Sequence, residues 1–231
     1  MPKYKQLTLA EFKKKFKQIK KMDWVPSKRK GPTGVGQTLE QLLGITENNI
    51  ALPDLGTVEL KAHRIDSSSL ITLFTFNRKA WKMNPLKAIK KYGTRDENKR
   101  LGMYFTMTRT PNSMGLFLYV DEETISVRHV SGELIAEWQL ETLAQRFMRK
   151  MPGLVLVNAF SEMRGDLEWF KYDRAQLLTG VSQDIMKNQM LSDHVQLDIR
   201  MESRPTKNEL RYMQKDDWLQ WSFANWTDLC V

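Results

Sequence analysis

The chain has 231 residues, of which 41% are hydrophobic and 27% charged, a composition typical of a folded globular protein rather than a disordered or fibrous one. A single cysteine, Cys230, excludes an internal disulfide framework and a cysteine-rich zinc module, and no apolar run reaches the roughly 18 residues of a membrane span. The first residues lack the apolar stretch of a secretion signal, so we expect a soluble protein of a reducing cytoplasm.

Positive charge is concentrated at the N-terminus. The net charge is +9, and residues 1–30 hold eleven Lys and Arg side chains against only Glu11 and Asp23, so this segment accounts for the whole excess. A concentrated basic surface is typical of proteins that bind a polyanion such as nucleic acid, and segment 13–30 would then contact the DNA backbone. Charge alone is equally compatible with a solvated lysine face on a surface helix.

The predicted elements, taken in chain order, mix helices with short strands. A capping box at 8–11 begins a helix over about 8–22, and a second, short helix starts near Gln37 and ends at Gly44. Strands are expected at 58–63, 70–76, 102–109, 115–120, 124–130, 133–138, 154–160 and 194–201, and further helices at 85–92, 140–151 and 182–191. The pattern predicts a mixed α/β (α+β) fold with antiparallel hairpins, without a repeat or a linker that would split the chain.

The most informative motif is Pro53-Asp54 followed, after four residues, by Glu59-Leu60-Lys61. Side chains two residues apart on a strand leave the same face, so Glu59 and Lys61 should project together. The turn after Pro53 would fold the chain back and bring Asp54 opposite Glu59. Two carboxylates with a nearby lysine suit Mg²⁺, which can promote phosphodiester hydrolysis. A turn followed by an amphipathic strand with a surface ion pair would produce the same pattern.

The segment upstream favours the nuclease interpretation. Lys28-Arg29-Lys30 and a glycine-rich loop precede the short helix that carries Glu40. Together with the Asp54 and Glu59-Leu60-Lys61 motifs, this arrangement resembles the MvaI/BcnI group of restriction endonucleases, which are similar in turn to the mismatch-repair nicking enzyme MutH. The resemblance is carried by about residues 24–76.

The resemblance implies a PD-(D/E)xK restriction-endonuclease-like core, in which a central mixed sheet is flanked by helices and DNA binds between a catalytic and a recognition lobe. The catalytic lobe would centre on residues 24–76 with the basic helix 8–22, and the recognition lobe would come from residues beyond about 80, including the C-terminal part.

The resemblance also implies roles for four residues of the site. Carried over position by position, Asp54 and Glu59 would be metal ligands and Lys61 the catalytic lysine. Glu40 would be an additional acidic residue at the site, either as a ligand or directly behind the ligands.

The implied function is that of a type II restriction endonuclease. Such an enzyme would use Mg²⁺, with Mn²⁺ able to substitute, and would hydrolyse duplex DNA at a short sequence as a monomer that nicks each strand in turn. No membrane and no obligate protein partner is expected. Two alternatives stay open: a MutH-like strand-nicking repair endonuclease, and a non-catalytic DNA-binding module with a degenerate site.

The residues expected to contact DNA fall into three groups. They are the basic loop and the start of the short helix (Lys28, Arg29, Lys30, Gly34 and Thr38), the end of the catalytic strand (His63 and Arg64), and the C-terminal part (Arg200 and Arg204). Arg200 would read a guanine by paired hydrogen bonds, or else form an ion pair with Asp198. Relatives carry a histidine-bearing segment near the C-terminus, whereas 204–209 has no histidine, so the sequence does not predict which bases are read.

Other signals are set aside. The glycine-rich loop is not a nucleotide-binding loop, because Gln37 stands where the phosphate-binding lysine is required. The three histidines are too scattered for a zinc site. A polar stretch at 161–168 precedes the aromatic segment Trp169-Phe170-Lys171-Tyr172. The aromatic residues of 218–226 have near-helical spacing and favour core packing over stacking on bases.

Overall fold

The computed structural model describes residues 7–45, 54–56, 58–67, 70–75, 80–180, 182–206, 209–212 and 218–223, with side chains as far as Met201 except those of Phe74 and Thr75. Pro53, Trp226, Cys230 and the side chain of Arg204 therefore lie outside the described part. Among the described residues, no helix is long and apolar enough to cross a membrane.

The described elements follow one another as helices and strands of 2 to 13 residues. In chain order they are α1 (Leu9–Lys21), β1 (Trp24–Pro26), α2 (Gly34–Leu43), β2 (Glu59–Arg64), β3 (Ile71–Thr75), α3 (Pro85–Tyr92), β4 (Thr94–Arg95), β5 (Leu101–Met107), β6 (Leu116–Val120), β7 (Thr124–His129), β8 (Leu134–Gln139), α4 (Leu140–Lys150), β9 (Leu154–Arg164), β10 (Leu167–Leu178), α5 (Gln183–Leu191), β11 (Val195–Thr206), β12 (Glu209–Tyr212) and β13 (Trp218–Phe223).

The chain divides into two compact units, and the boundary between the central segments falls within α4, after Phe147. The first unit contains α1, β1, α2, β2, β9 and β10. Its four strands form one sheet in the order β1-β10-β9-β2. The pairs β1/β10 and β10/β9 are antiparallel and β2/β9 is parallel, so this is a mixed sheet.

Strand register assigns the residues of β2 to two faces of this sheet. Glu59, Lys61 and His63 alternate with Leu60 and Ala62, and residues directly opposite one another on paired strands share a face. We call the two sides the Glu59 face and the Leu60 face. Leu60 pairs with Val155 of β9, and both are buried, whereas Lys61 is partly exposed.

Helices α1 and α2 cover the Leu60 face. Phe12, Phe16 and Ile19 of α1 and Val35, Leu39 and Leu43 of α2 pack in one core cluster with Leu60, Val155, Val157, Phe170 and Tyr172 of the strands. Burial of an aliphatic side chain of this size contributes about 1.5–3 kcal/mol. The helices thus hold the sheet from one side and leave the Glu59 face to carry polar side chains.

The second unit contains the remaining sheets. One has the path β3-β13-β11-β5-β4 with β12 paired to β11, and another is the antiparallel meander β6-β7-β8. The long strand β11 lies at the centre, between β5 and β13, and carries Asp198 and Arg200.

The predicted helices and most predicted strands are confirmed. The capping box at Thr8 and Glu11 forms in full, and the end of α2 at Gly44 has the expected left-handed backbone, with φ of 74°. The predicted helix 85–92 coincides with α3. The combination of a mixed sheet with covering helices confirms the α+β class.

Three elements differ from what the sequence indicates. The helix α2 begins at Gly34 rather than near Gln37 or Thr38, and the strand expected at 154–160 extends through polar residues to Arg164, after which β10 begins at Leu167. Cross-strand hydrogen bonds hold those polar residues in a hairpin that turns at Gly165, whose φ is 61°. The near-helical aromatic spacing is misleading as well, because residues 218–223 form the strand β13 between β3 and β11.

Candidate active site

The start of β2 and the turn before it bring three candidate side chains together. In the turn, the Leu55 N–H donates to the Val58 carbonyl at 2.9 Å, and Gly56 supplies the positive φ of 78° that closes it. The Leu60 N–H then donates to Oδ2 of Asp54 at 3.2 Å. The chain reversal expected from the Asp-Leu-Gly sequence is therefore present.

Glu59 and Lys61 form a direct ion pair on the Glu59 face. Lys61 Nζ donates to Glu59 Oε1 at 2.8 Å, and the Glu59 side chain is only 6% exposed while that of Lys61 is 29% exposed. The backbone of Glu59 is fixed as well, because its N–H donates to the Gly153 carbonyl at 2.9 Å. A buried carboxylate and a half-buried ammonium thus project from a rigid strand.

The environment of Asp54 is that of a carboxylate near another carboxylate. Burial raises the pKa of Asp54, and the charge of Glu59 raises it further. The Leu60 N–H and the positive charges of Lys61 and Lys150 act in the opposite direction. Two carboxylates held this close in a partly buried place repel each other, and a cation between them would relieve that repulsion.

The residues present fit a divalent metal with few protein ligands. Among the described residues, no group of three or more His, Cys, Asp or Glu side chains could hold a metal ion. Mg²⁺ is commonly bound by one or two carboxylates, with waters and substrate phosphates completing its shell. Asp54 and Glu59 meet that requirement, and a third protein carboxylate is not needed.

Glu40 is placed differently from the other acidic candidates. It lies on α2, and its charge helps to raise the pKa of Tyr172, after the larger effect of burial and against the charge of Arg64. The Tyr172 hydroxyl donates to the Val35 carbonyl at 2.7 Å, which places Tyr172 beside the first turn of α2. No three acidic side chains of the described residues are grouped so that they could hold a metal ion, and a role for Glu40 at the site, as a ligand or directly behind the ligands, stays a prediction.

The basic loop before α2 presents its cations to solvent. Lys28, Arg29 and Lys30 are all exposed. Hydrogen bonds between side-chain hydroxyls and the main chain fix the loop, because the Lys28 N–H donates to Thr38 Oγ1 at 2.9 Å and the Ser27 Oγ–H donates to the Arg29 carbonyl at 2.6 Å. Contact of the three cations with DNA stays a prediction, and their exposure is compatible with it.

Gly34 and Thr38 have structural roles in this loop, and their contact with DNA stays a prediction. Thr38 is fully buried and its hydroxyl is the acceptor for Lys28, so its side chain offers no surface to a ligand. Gly34 is buried too, and a Cβ atom there would lie 2.5 Å from the Arg29 carbonyl oxygen. The sequence alone did not indicate these internal contacts.

Arg64 is also committed to the protein itself. Its Nε and Nη2 donate to the two carboxylate oxygens of Glu168 at 2.6 and 2.8 Å, and Nη1 and Nη2 donate to the carbonyls of Pro32 and Gly31 at 2.9 and 3.2 Å. The guanidinium also lies over the Phe170 ring, 5.2 Å from its centroid. Arg64 therefore fastens the basic loop to the end of β2, and a direct DNA contact is not supported.

The remaining DNA candidates are described only in part. His63 lies two residues beyond Lys61 and shares the Glu59 face. Arg200 Nη2 lies 3.3 Å from Asp198 Oδ2, so the ion-pair alternative is the one observed, and Thr106 Oγ1 donates to the other oxygen of Asp198. Arg204 belongs to β11, and its side chain is outside the described part.

Two residues of the site had no signal in the sequence. Lys150, at the end of α4, lies close enough to lower the pKa of Asp54. Glu168, which binds Arg64, is 104 residues away from it in sequence. Both are brought to the site by the pairing of β9 with β2 and β10, which no local pattern specifies.

Comparison with known proteins identifies the group to which this chain belongs. The model of the MvaI/BcnI restriction endonuclease family matches residues 13–216, which is most of the chain. A search of the curated proteins gave no match.

Solved structures agree in fold. The chain is similar to a complex of restriction endonuclease MvaI with its cognate DNA substrate, with a TM-score of 0.78 and 22% identity over 99% of this chain and 96% of that one. It is also similar to MvaI in the absence of DNA, with a TM-score of 0.52 and 22% identity over 96% of this chain and 92% of that one. The chain belongs to the MvaI/BcnI restriction endonuclease family and is a type II site-specific endonuclease that acts on DNA.

Proposed function

We propose that this enzyme hydrolyses phosphodiester bonds of duplex DNA with Mg²⁺ held by Asp54 and Glu59 and with Lys61 as the catalytic lysine. The observation that carries the proposal is the grouping of these three side chains at the start of β2, with Lys61 Nζ 2.8 Å from Glu59 Oε1. Family membership supports it, because a restriction endonuclease needs such a site somewhere in the chain.

In this proposal, Asp54, Glu59 and Lys61 have different roles in hydrolysis. Asp54 and Glu59 would hold the cation, and their negative charge would recruit it to the start of β2. A bound divalent cation supplies charge stabilisation for the phosphate and lowers the pKa of a water molecule. Lys61 holds the attacking water in line with the phosphorus and compensates negative charge that develops on the phosphate oxygens. The hydrogen bond to Glu59 holds the ammonium of Lys61 beside this carboxylate.

Phosphate contacts would come mainly from the exposed loop 28–30, which Arg64 fastens to the end of β2. Such contacts set the position of the protein on the duplex without conferring sequence choice. Base edges would be read by residues of the second unit, where Arg200 and Arg204 are the candidates. Arg200 would have to leave Asp198 to do so, since its guanidinium is paired with that carboxylate.

We infer further that the enzyme acts as a monomer that cuts one strand and then the other. Plasmid DNA tests this together with the metal requirement. With Mg²⁺ or Mn²⁺ the purified protein should first nick and then linearise the plasmid, and with EDTA it should do neither. Sequencing of the ends gives the target site and the cut positions.

Two other outcomes would change the proposal. Nicked circles that accumulate without linear product would favour the strand-nicking repair activity. Intact plasmid with every divalent cation, combined with tight DNA binding, would favour a non-catalytic DNA-binding module.

A further inference from the structure

The basic N-terminal segment is divided by the fold into two surfaces on different parts of the first unit. Lys28, Arg29 and Lys30 lie in the loop at the end of β2, whereas the six lysines of α1 belong to a helix that packs on the Leu60 face. Glu59 and Lys61 leave the opposite face. The sheet therefore stands between most of the protein's excess positive charge and the candidate active site.

A groove collects three of these lysines. It has a volume of about 490 Å³ and lies between α1 and residues 173–177 of β10, where Lys13, Lys17 and Lys20 line it together with the apolar Leu9, Phe12 and Phe16. All three lysines are exposed. Asp173 is the acidic residue of the lining, and it lies 3.5 Å from Lys20 Nζ.

The spacing of the lysines suits a nucleic-acid backbone. Positions 13, 17 and 20 recur at one face of a helix and span about 10 Å along its axis. One strand of B-DNA places a phosphate about every 3.4 Å along the duplex axis, so the row spans about three phosphate steps. Lys14 and Lys21 lie on an adjacent face of α1 and are not part of the groove lining.

We propose that the α1–β10 groove is a second DNA-binding surface, which holds the phosphate backbone of a duplex segment other than the one at Asp54 and Glu59. The occupant is DNA because the groove is cationic on an enzyme whose substrate is DNA, and it is a second segment because the sheet separates the groove from the Glu59 face. The consequence is transfer between distant segments of a long DNA molecule, with the active site on one segment and α1 on another. The existence of a duplex at the active site rests on the proposed function; binding at α1 does not.

The direct test is a bridging measurement in EDTA, where no cleavage is expected. A donor-labelled duplex of about 20 base pairs spanning a mapped cut is mixed with an acceptor-labelled duplex of unrelated sequence and with the full-length protein at low salt. Wild-type protein should produce energy transfer between the duplexes. Lys13→Gln/Lys17→Gln should lose most of it, whereas Lys14→Gln/Lys21→Gln, which removes the same charge from the same helix, should keep most of it. Absence of transfer with the wild type, or equal loss in the two variants, would overturn the proposal.

Cleavage gives a second readout on the same variants. Lys13→Gln/Lys17→Gln should cut the short duplex within about twofold of the wild-type rate and cut plasmid at least about fivefold more slowly at low salt, with the difference vanishing as salt is raised. Equal slowing on both substrates would mean that α1 contacts the same segment as the active site, which contradicts the proposal. If the wild type cuts nothing, the proposed function has failed, while the bridging measurement still decides on the groove. Thermal melting of each variant verifies that it is folded.

Discussion

The two faces of the four-stranded sheet carry different kinds of side chain although they alternate along the same strands. On the Leu60 face of β2, Leu60 and Ala62 pack with α1 and α2 around one core. On the Glu59 face, the same six residues present Glu59, Lys61 and His63. Because a strand has a period of two, a single register fixes both sets. The packed face therefore determines where the reactive face points, and a slip of one residue would bury Lys61 and expose Leu60.

The largest expected effect distinguishes two ion pairs that look alike on the Glu59 face. Glu59 pairs with Lys61, and Glu162 pairs with Arg164, in both cases two residues apart on a strand. Glu59→Gln should lower the rate of plasmid cleavage by about a hundredfold or more, because it removes charge that recruits the cation. Glu162→Gln should leave the rate within about twofold of wild type. Similar effects of the two changes would mean that the first pair is merely structural.

Neutralisation of the basic loop should have the next largest effect. Lys28→Gln/Arg29→Gln/Lys30→Gln should weaken binding to all duplexes alike by about tenfold or more and should reduce the slope of log K against log salt by up to about 3. Fluorescence anisotropy over a series of salt concentrations measures both quantities. An altered cleavage pattern, with the salt slope unchanged, would mean that the loop reads bases.

Arg64 tests whether the end of β2 acts on DNA only through the loop 28–30. Arg64→Lys keeps the charge but loses the fork that binds Glu168 and two loop carbonyls, so it should reproduce part of the affinity loss of the loop variant. Combined with the loop variant, it should add little, because both changes act through the same cations.

The control is a double-mutant cycle, in which Arg64→Lys, the loop variant and their combination are compared on the same duplex and at the same salt concentration. Full additivity would mean that Arg64 contacts DNA directly. Arg64→Lys is expected to raise the KM for DNA. A fall in that KM, with kcat unchanged, would contradict the positioning role of Arg64.

The smallest effect concerns the two glycines in the first turn of α2. Gly34→Ala should lower the free energy of unfolding by about 1–3 kcal/mol, because the new Cβ would press on the Arg29 carbonyl. Gly36→Ala should leave the free energy of unfolding unchanged or raise it by up to about 1 kcal/mol. A Cβ atom at this position would lie 4.0 Å from its nearest neighbour, and alanine favours the helix. Urea denaturation compares them, and equal destabilisation would contradict the tight packing of the loop.

Local patterns predicted the parts of the site that depend on neighbours in sequence. The alternation of β2, the turn after Asp54 and the capping box of α1 all follow from spacing and propensity. Burial was harder to predict: Thr38 was expected to contact DNA, and the sequence did not indicate that its hydroxyl is an internal acceptor. A hydroxyl or glycine near a basic loop does not reveal whether it faces solvent or the loop's own backbone.

Long-range pairing could not be predicted from the sequence. The bond between Arg64 and Glu168 and the approach of Lys150 to Asp54 depend on β9 lying parallel to β2 and antiparallel to β10. The separation of the α1 lysines from the loop 28–30 likewise depends on which face α1 covers, and charge counts along the chain carry no information about that.

The most direct test of the central claim is the effect of Lys61→Ala on cleavage and binding, measured on the same duplex. Single-turnover cleavage in Mg²⁺ should become undetectable or fall by about a hundredfold or more, while anisotropy in EDTA should give a dissociation constant within a few-fold of wild type. A variant that cuts at the wild-type rate would show that the grouping of Asp54, Glu59 and Lys61 is not the active site.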